Sequence, residues 1–177
     1  MSQLNPYEKF LDGRPLHVIL ASTEGAIAEC LKVIGPNKVT VSPVPGKWSA
    51  AEIVCHLADS EIVMGFRMRQ TLAEEGPTIQ PFDQDKWASK YPGVPAAEAL
   101  ETFSALRKWN LRLIRAALPA AAARIMTHPE RGTMTFQMVV ETLAGHDLNH
   151  LAQLRKIAEA APEAEYVGAG EKPKADR

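Results

Sequence analysis

The segment Gly145-His146-Asp147-Leu148-Asn149-His150 sets two imidazoles four residues apart in a stretch of helical periodicity. Residues i and i+4 stack on one helix face, about 6 Å apart along the axis. Both rings can then reach one metal ion at roughly 2.0–2.1 Å. The apolar seam of the same stretch reads Val139, Leu143, His146, His150, Leu154, Ile157. The histidines therefore fill positions suited to Leu or Ile. A buried imidazole has to bond to something, because an unsatisfied polar group in an apolar interior costs several kcal/mol, roughly 2–7. Two on adjacent turns are met more simply by one shared metal than by two separate acceptors.

Three protein ligands and a water form the catalytic zinc pattern, and the open position is what permits chemistry. Among His17, His56 and His128, His56 is best placed. It lies two turns into a well-capped helix, at the margin of a side marked by Ile53, Leu57 and Met64. His17 opens the first helix and His128 precedes a proline, so spacing leaves the third ligand open. Several acids flank His56. Glu52 and Asp59 are one turn away and could accept from an imidazole. Glu61 could ligate, act as base, or pair with Arg67 or Arg69. A solvated helical face is the plain alternative for all three, and no catalytic residue stands out beyond them.

Other motifs do not fit. The zincin pattern needs Glu after its first histidine, where this chain has Asp147. Di-iron bundles need Glu-x-x-His, which does not occur. Phosphate-binding glycine loops and Ser or Cys nucleophile motifs are missing too.

The elements that must position these residues read as four long helices. The first spans about Pro15 to Ile34, with Leu16, Ile19, Leu20, Thr23, Ile27 and Leu31 in one stripe. Gly35-Pro36 ends it. Ser49-Ala50-Ala51-Glu52 is a capping box that starts the second helix, which runs to about Glu75, with Trp48 set to pack on its first turn. Residues 76–93 form a long loop with Phe82, Trp87 and Tyr91. Loops this long are often functional, and Trp87 and Tyr91 either line a pocket or simply pack. The third helix opens at Pro95 and reaches Leu118. Residues 119–134 are irregular, with a tight turn or short hairpin at Arg131-Gly132. Thr135 caps the fourth helix, which continues to about Ala160. Four amphipathic helices bury their stripes against one another as a four-helix bundle.

The chain's 177 residues suit a single domain, expected over 1–161, with a frayed tail at 162–177. Hydrophobic content is 46%, charged content 23% and net charge −1, with a pI near 6.5. Such a balance argues against nucleic-acid and anionic-membrane partners. No apolar run is long enough for a transmembrane helix, and the N-terminus does not read as a signal peptide. Cys30 and Cys55 look like small core residues of a protein in a reducing, cytoplasmic setting.

As a set, these residues resemble the DinB superfamily. Its first half is matched by Lys47-Trp48-Ser49 and by His56-Leu57-Ala58-Asp59-Ser60-Glu61 with Arg67 beyond. Its middle is matched by Phe82-Asp83-Gln84-Asp85-Lys86-Trp87. Its second half is matched by His128-Pro129-Glu130-Arg131-Gly132, Thr135, and His146-x-x-x-His150-x-x-Gln153. The likeness spans about residues 10–160. It implies an all-α, up-down-down-up four-helix bundle with a divalent metal, zinc or nickel, held by His56, His146 and His150. It further implies a homodimer acting on small molecules. The implied activity is a thiol-dependent S-transferase using a low-molecular-weight thiol, or a metal-dependent hydrolase. A non-catalytic or stress-related metal-binding bundle is the alternative, since a fold does not choose a reaction.

Overall fold

Local sequence chemistry sets the helix ends. In the computed structural model, which describes residues 4–160, the Ser49 hydroxyl accepts from the Glu52 amide at 3.3 Å. The Glu52 carboxylate accepts from the Ser49 amide at 2.7 Å. This box opens α2 (Ala50–Ala73). Pro15 precedes α1 (Leu16–Ile34), and Gly35 closes it with a positive φ. Pro95 precedes α4 (Ala96–Ala117). The Thr135 hydroxyl accepts from Met138 N–H at the start of α5 (Phe136–Glu159). Two short elements go beyond the four helices read from periodicity. One is a 3-10 turn at Glu8–Phe10. The other is α3 (Gln84–Ala88), inside the long loop and capped by Asp83. The tail expected over 162–177 lies outside the described residues.

The long helices form an up-down-down-up four-helix bundle. Helix α1 packs on α4 and α5, and α2 packs on the same two. Side-chain pairings give the directions. Early α1 meets the middle of α5 through Thr23 and Asp147, and later α1 residues share a core with Leu151 and Leu154, so α1 and α5 are parallel. Glu61 meets Arg107 and Asn110, while Met68 packs with Leu111 and Ile114, so α2 and α4 are parallel. Start of α2 meets the second half of α5 at His56 and His146, which makes that pair antiparallel. Parallel neighbours need a connection that travels back along a helix about 36 Å long. That is the physical reason for the long segment between α2 and α4.

The irregular stretch contains a hairpin, β1 (Ile125–His128) and β2 (Gly132–Thr135), in register Met126 to Met134. The crossover joins its edge: Thr127 N–H donates to the Pro77 carbonyl at 2.8 Å, and Ile79 N–H donates to the Thr127 carbonyl at 2.9 Å. Met126 and Met134 face the core.

One buried guanidinium ties all four long helices. Arg107 of α4 donates to Glu61 of α2 at 2.7 Å, to Asp147 of α5, and to the Leu20 carbonyl of α1 at 3.0 Å. Thr23 donates to the same Asp147 oxygen at 2.9 Å, and Asn110 donates to Glu61 at 3.0 Å. Burial works against the charge on Arg107. The carboxylates of Asp147 and Glu61 outweigh it and hold the guanidinium above its ordinary pKa. The cluster also dictates close packing: at Gly65 a Cβ would lie 2.6 Å from the Asn110 amide.

Removing one partner of such a cluster leaves buried charge uncompensated. Arg107→Met is therefore expected to cost about 3–5 kcal/mol in urea denaturation. A loss below about 1 kcal/mol, the value of an exposed pair, would show that the cluster does not hold the helices together.

Candidate metal centre

His56 comes from the second turn of α2, His146 and His150 from consecutive turns of α5. The antiparallel α2–α5 contact brings the three rings together. His146 Nε2 lies 2.9 Å from His56 Nε2 and 3.1 Å from His150 Nε2. Tetrahedral ligands at roughly 2.05 Å from an ion are separated by about 3.3 Å, so the spacing matches a shared cation. The rings are 1%, 8% and 5% exposed, which places the cluster inside the bundle.

Burial keeps all three imidazoles neutral. Desolvation, then the nearby His150, pushes His56 down to about 3. Desolvation, then the nearby His150, His56 and Arg107, hold His146 well below the usual range. His150 is also lowered by desolvation, with partial compensation from Gln153 and Asp147. Neutral imidazole is the form that binds metal. His150 Nδ1 faces Gln153 Oε1 at 3.2 Å. A proton donated there leaves the Nε2 lone pair pointing at the cluster. The Nδ1 atoms of His56 and His146 have no hydrogen-bond partner among the described residues, so nothing in the protein competes for the opposite tautomer. With all three Nε2 atoms unprotonated, their lone pairs would repel unless a positive charge lay between them, and the donor set suits a divalent ion.

Two aromatic rings cover the cluster. Trp48 lies over His56, with ring centroids 4.8 Å apart, and over His150 at 6.3 Å and nearly parallel. Tyr7 meets His146 edge-on at 5.1 Å, and burial raises its phenol pKa. A Cβ at Gly145 would sit 2.5 Å from the Tyr7 carbonyl. Only glycine there lets the N-terminal segment lie against α5. Neither Tyr7 nor Gly145 carries a local sequence signal for this contact; the side-chain-free residue before His146 is the one available hint.

The acids near His56 go elsewhere. Glu61 does not pair with Arg67 or Arg69, nor does it reach the histidines. It faces α4 because Arg107 and Asn110 bind it there. Asp59 accepts from the Tyr91 hydroxyl at 2.7 Å, so it anchors the crossover. Glu52 is spent on the helix cap. Asp147, in the zincin glutamate position, points into the ion cluster. Trp87 and Tyr91 line neither cavity beside the histidines; Trp87 packs on Phe82 and Tyr91 against Trp48. His17 is exposed on α1. His128 is buried on β1, with Nδ1 accepting from Glu130 N–H.

A narrow cavity of about 90 Å³ runs from the histidines between α2 and α5 to the hairpin. Tyr7 and Gln84 stand between it and a wider cleft that reaches His150 beside Trp48.

An up-down-down-up bundle with three buried, converging imidazoles defines a class of histidine-centred helical proteins. The sequence model of the DinB superfamily matches residues 19–154, and the chain belongs to that superfamily. A protein of Oceanobacillus iheyensis that bears the name "Putative metal-dependent hydrolase" is 31% identical over 113 residues, 63% of this chain and 66% of its own length. A Bacillus mycoides protein of the same printed name is 25% identical over 134 residues, 75% of this chain and 78% of its own. Among solved structures, YfiT from Bacillus subtilis, titled "a probable metal-dependent hydrolase with an unusual four-helix bundle topology", aligns with a TM-score of 0.78. The alignment has 20% identity and covers 84% of this chain and 87% of that one, a likeness of fold.

The lowered histidine pKa values have a consequence for stability. Below about pH 6.5 the unfolded chain protonates these imidazoles and the folded chain does not. The metal-free protein is therefore stabilised above pH 6.5 and loses that contribution as pH falls toward the folded value of about 3 for His56. Each group contributes a slope of up to about 1.36 kcal/mol per pH unit. Urea midpoints between about pH 6.5 and 5, before carboxylates titrate, are expected to fall steeply. Replacing His56 by Leu should flatten the curve, and an unchanged slope would contradict neutral burial.

Proposed function

We propose that the protein is a metal-dependent hydrolase of small molecules, with His56, His146 and His150 holding one divalent ion, zinc or nickel. The observation that carries this is three buried imidazoles whose ligand atoms lie together, two of them, His56 and His146, lining a cavity. The names borne by its relatives support the same reading. Such an ion supplies Lewis acidity, lowering the pKa of a water or polarising a carbonyl.

The protein's own residues do the rest. Gln153 orients His150. Trp48 and Tyr7 exclude bulk water, which strengthens every electrostatic interaction inside. The Tyr7 hydroxyl stays protonated at neutral pH, and its ring lies against His146. Three histidines with no fourth protein ligand among the described residues leave a position for substrate, which favours catalysis over a purely structural site. A cytoplasmic setting belongs to the same reading, in keeping with free thiols at Cys30 and Cys55. None of the described helices is long and apolar enough to cross a membrane.

Metal-free protein reconstituted with Zn²⁺ or Ni²⁺ is expected to take up one ion per chain by elemental analysis. It should then hydrolyse activated esters or amides in a small-molecule panel, and lose turnover on chelation. His146→Ala should lose most of the ion and the activity together. Full metal content in that variant would refute the ligand set. Turnover only with an added low-molecular-weight thiol would place the chain among S-transferases instead.

The proposal includes a homodimer. Ile62 and Phe66 on successive turns of α2 and Trp109 on the neighbouring α4 are 49%, 63% and 62% exposed, large apolar side chains of the kind that mark an interface. Sedimentation should give a dimer that Phe66→Glu converts to monomer; a wild-type monomer would end that part of the proposal.

A further inference from the structure

The cavity beside the histidines is chemically asymmetric. On α2 it is lined by His56, Ser60, Met64 and Arg67, at steps of four, four and three, one stripe of a single helix face. His56 marks one end. Arg67, with Arg131 and His128 from the hairpin, marks the other. Between them the walls are Ile79, Met134, Val139 and Leu143. No carboxylate lines this cavity among the described residues.

Arg67 is the unusual member. It is 8% exposed, yet its Nε has no hydrogen-bond partner among the described residues. Nη2 donates to the Gln80 carbonyl at 2.7 Å, and Nη1 touches Met64 Sδ at 3.8 Å. That second contact folds the side chain back toward the N-terminus of α2, as helical side chains lean, and therefore toward His56. Phe82 lies 5.9 Å from the guanidinium carbon. Burial and the Arg131 charge both disfavour the cation, with Glu130 offsetting part of this. Two guanidinium charges and one carboxylate leave this end with a surplus of one positive charge. A buried charge at a cavity wall calls for an opposite charge within that cavity.

We propose that Arg67, assisted by Arg131, is the anion-binding end of this cavity. It receives the carboxylate or phosphate group of a small substrate whose apolar body lies along Met64, Ile79, Val139 and Leu143. The reactive group of that substrate is thereby delivered to the three histidines. This substrate class rests on the hydrolase reading above, but the anion site does not need a metal to bind its ligand. Met64 and His56 are eight residues apart, about 12 Å along the helix, room for a short apolar chain together with its head group at Arg67 and its reactive group at the histidines.

The test is calorimetric titration of metal-free protein with hexanoate, hexyl phosphate and hexanol, so that no ion can bind the anions directly. Wild type is expected to bind one of the anions at least about tenfold more tightly than hexanol, as a charge-assisted hydrogen bond provides. Arg67→Met should reduce that preference to within about twofold, and Arg67→Lys, which keeps the charge, should retain part of it. Thermal melting and the circular dichroism of both variants show whether they fold. The stronger anion names the substrate's head group. Equal binding of all three ligands by wild type, or an undiminished preference in Arg67→Met, overturns the proposal. Anion preference that depends on Arg67 in a protein whose metal-loaded form hydrolyses no ester upholds this site and sinks the hydrolase reading alone.

Discussion

The structure depends on a charge placed where a helical bundle would ordinarily have oil. Arg107 reaches across the interior and binds a carboxylate from each of two other helices and a backbone carbonyl from the fourth. Such a cluster contributes little net stability compared with an apolar replacement, but it penalises every arrangement in which one partner is missing. Its effect is therefore on geometry. Asp147 follows His146 directly, so the rotation of α5 that satisfies Arg107 also turns the two histidines of that helix toward α2. Glu61 lies five residues after His56 and constrains α2 in the same way. The aim of the imidazoles and the packing of the helices are thus one problem with one solution.

Exclusion of water is the second requirement, and it is met by residues from outside the helices. Trp48 belongs to the segment before α2, and Tyr7 to the N-terminal turn. Both press on histidines rather than on aliphatic core. The core itself divides around the ion cluster, with Ile27, Val54, Phe103 and Leu154 on one side and Ile19, Met68, Ile114 and Phe136 on the other. The polar layer between them is continuous with the three histidines.

Much of this was legible in the sequence, because the signals are local. The capping box at Ser49, the cap at Thr135, the turn at Gly35 and the helical spacing of His146 and His150 all act within a few residues. They place the four long helices to within about two residues, the usual margin at helix ends. The convergence of His56 on the α5 pair was legible only through resemblance, since the two regions are 90 residues apart. The fates of Glu61 and Asp59 were not legible. Their neighbours in sequence include Arg67 and Arg69, but their partners in space are Arg107 and Tyr91. Chain proximity says nothing about a pairing created by helix packing. Short α3 and the 3-10 turn at Glu8–Phe10 escaped for a related reason: elements of three to five residues bury too little to show a period.

Gly145 lies directly against the Tyr7 carbonyl. Backbone at Tyr7 fills a notch that glycine opens in α5. The segment around Tyr7 thus acts as a plug, and its removal would admit solvent to His146 while leaving the four long helices intact. Trimming that segment to improve expression would then produce a well-folded bundle whose imidazoles take up protons at higher pH. Such a change would look like a defect in the histidines although none had been replaced.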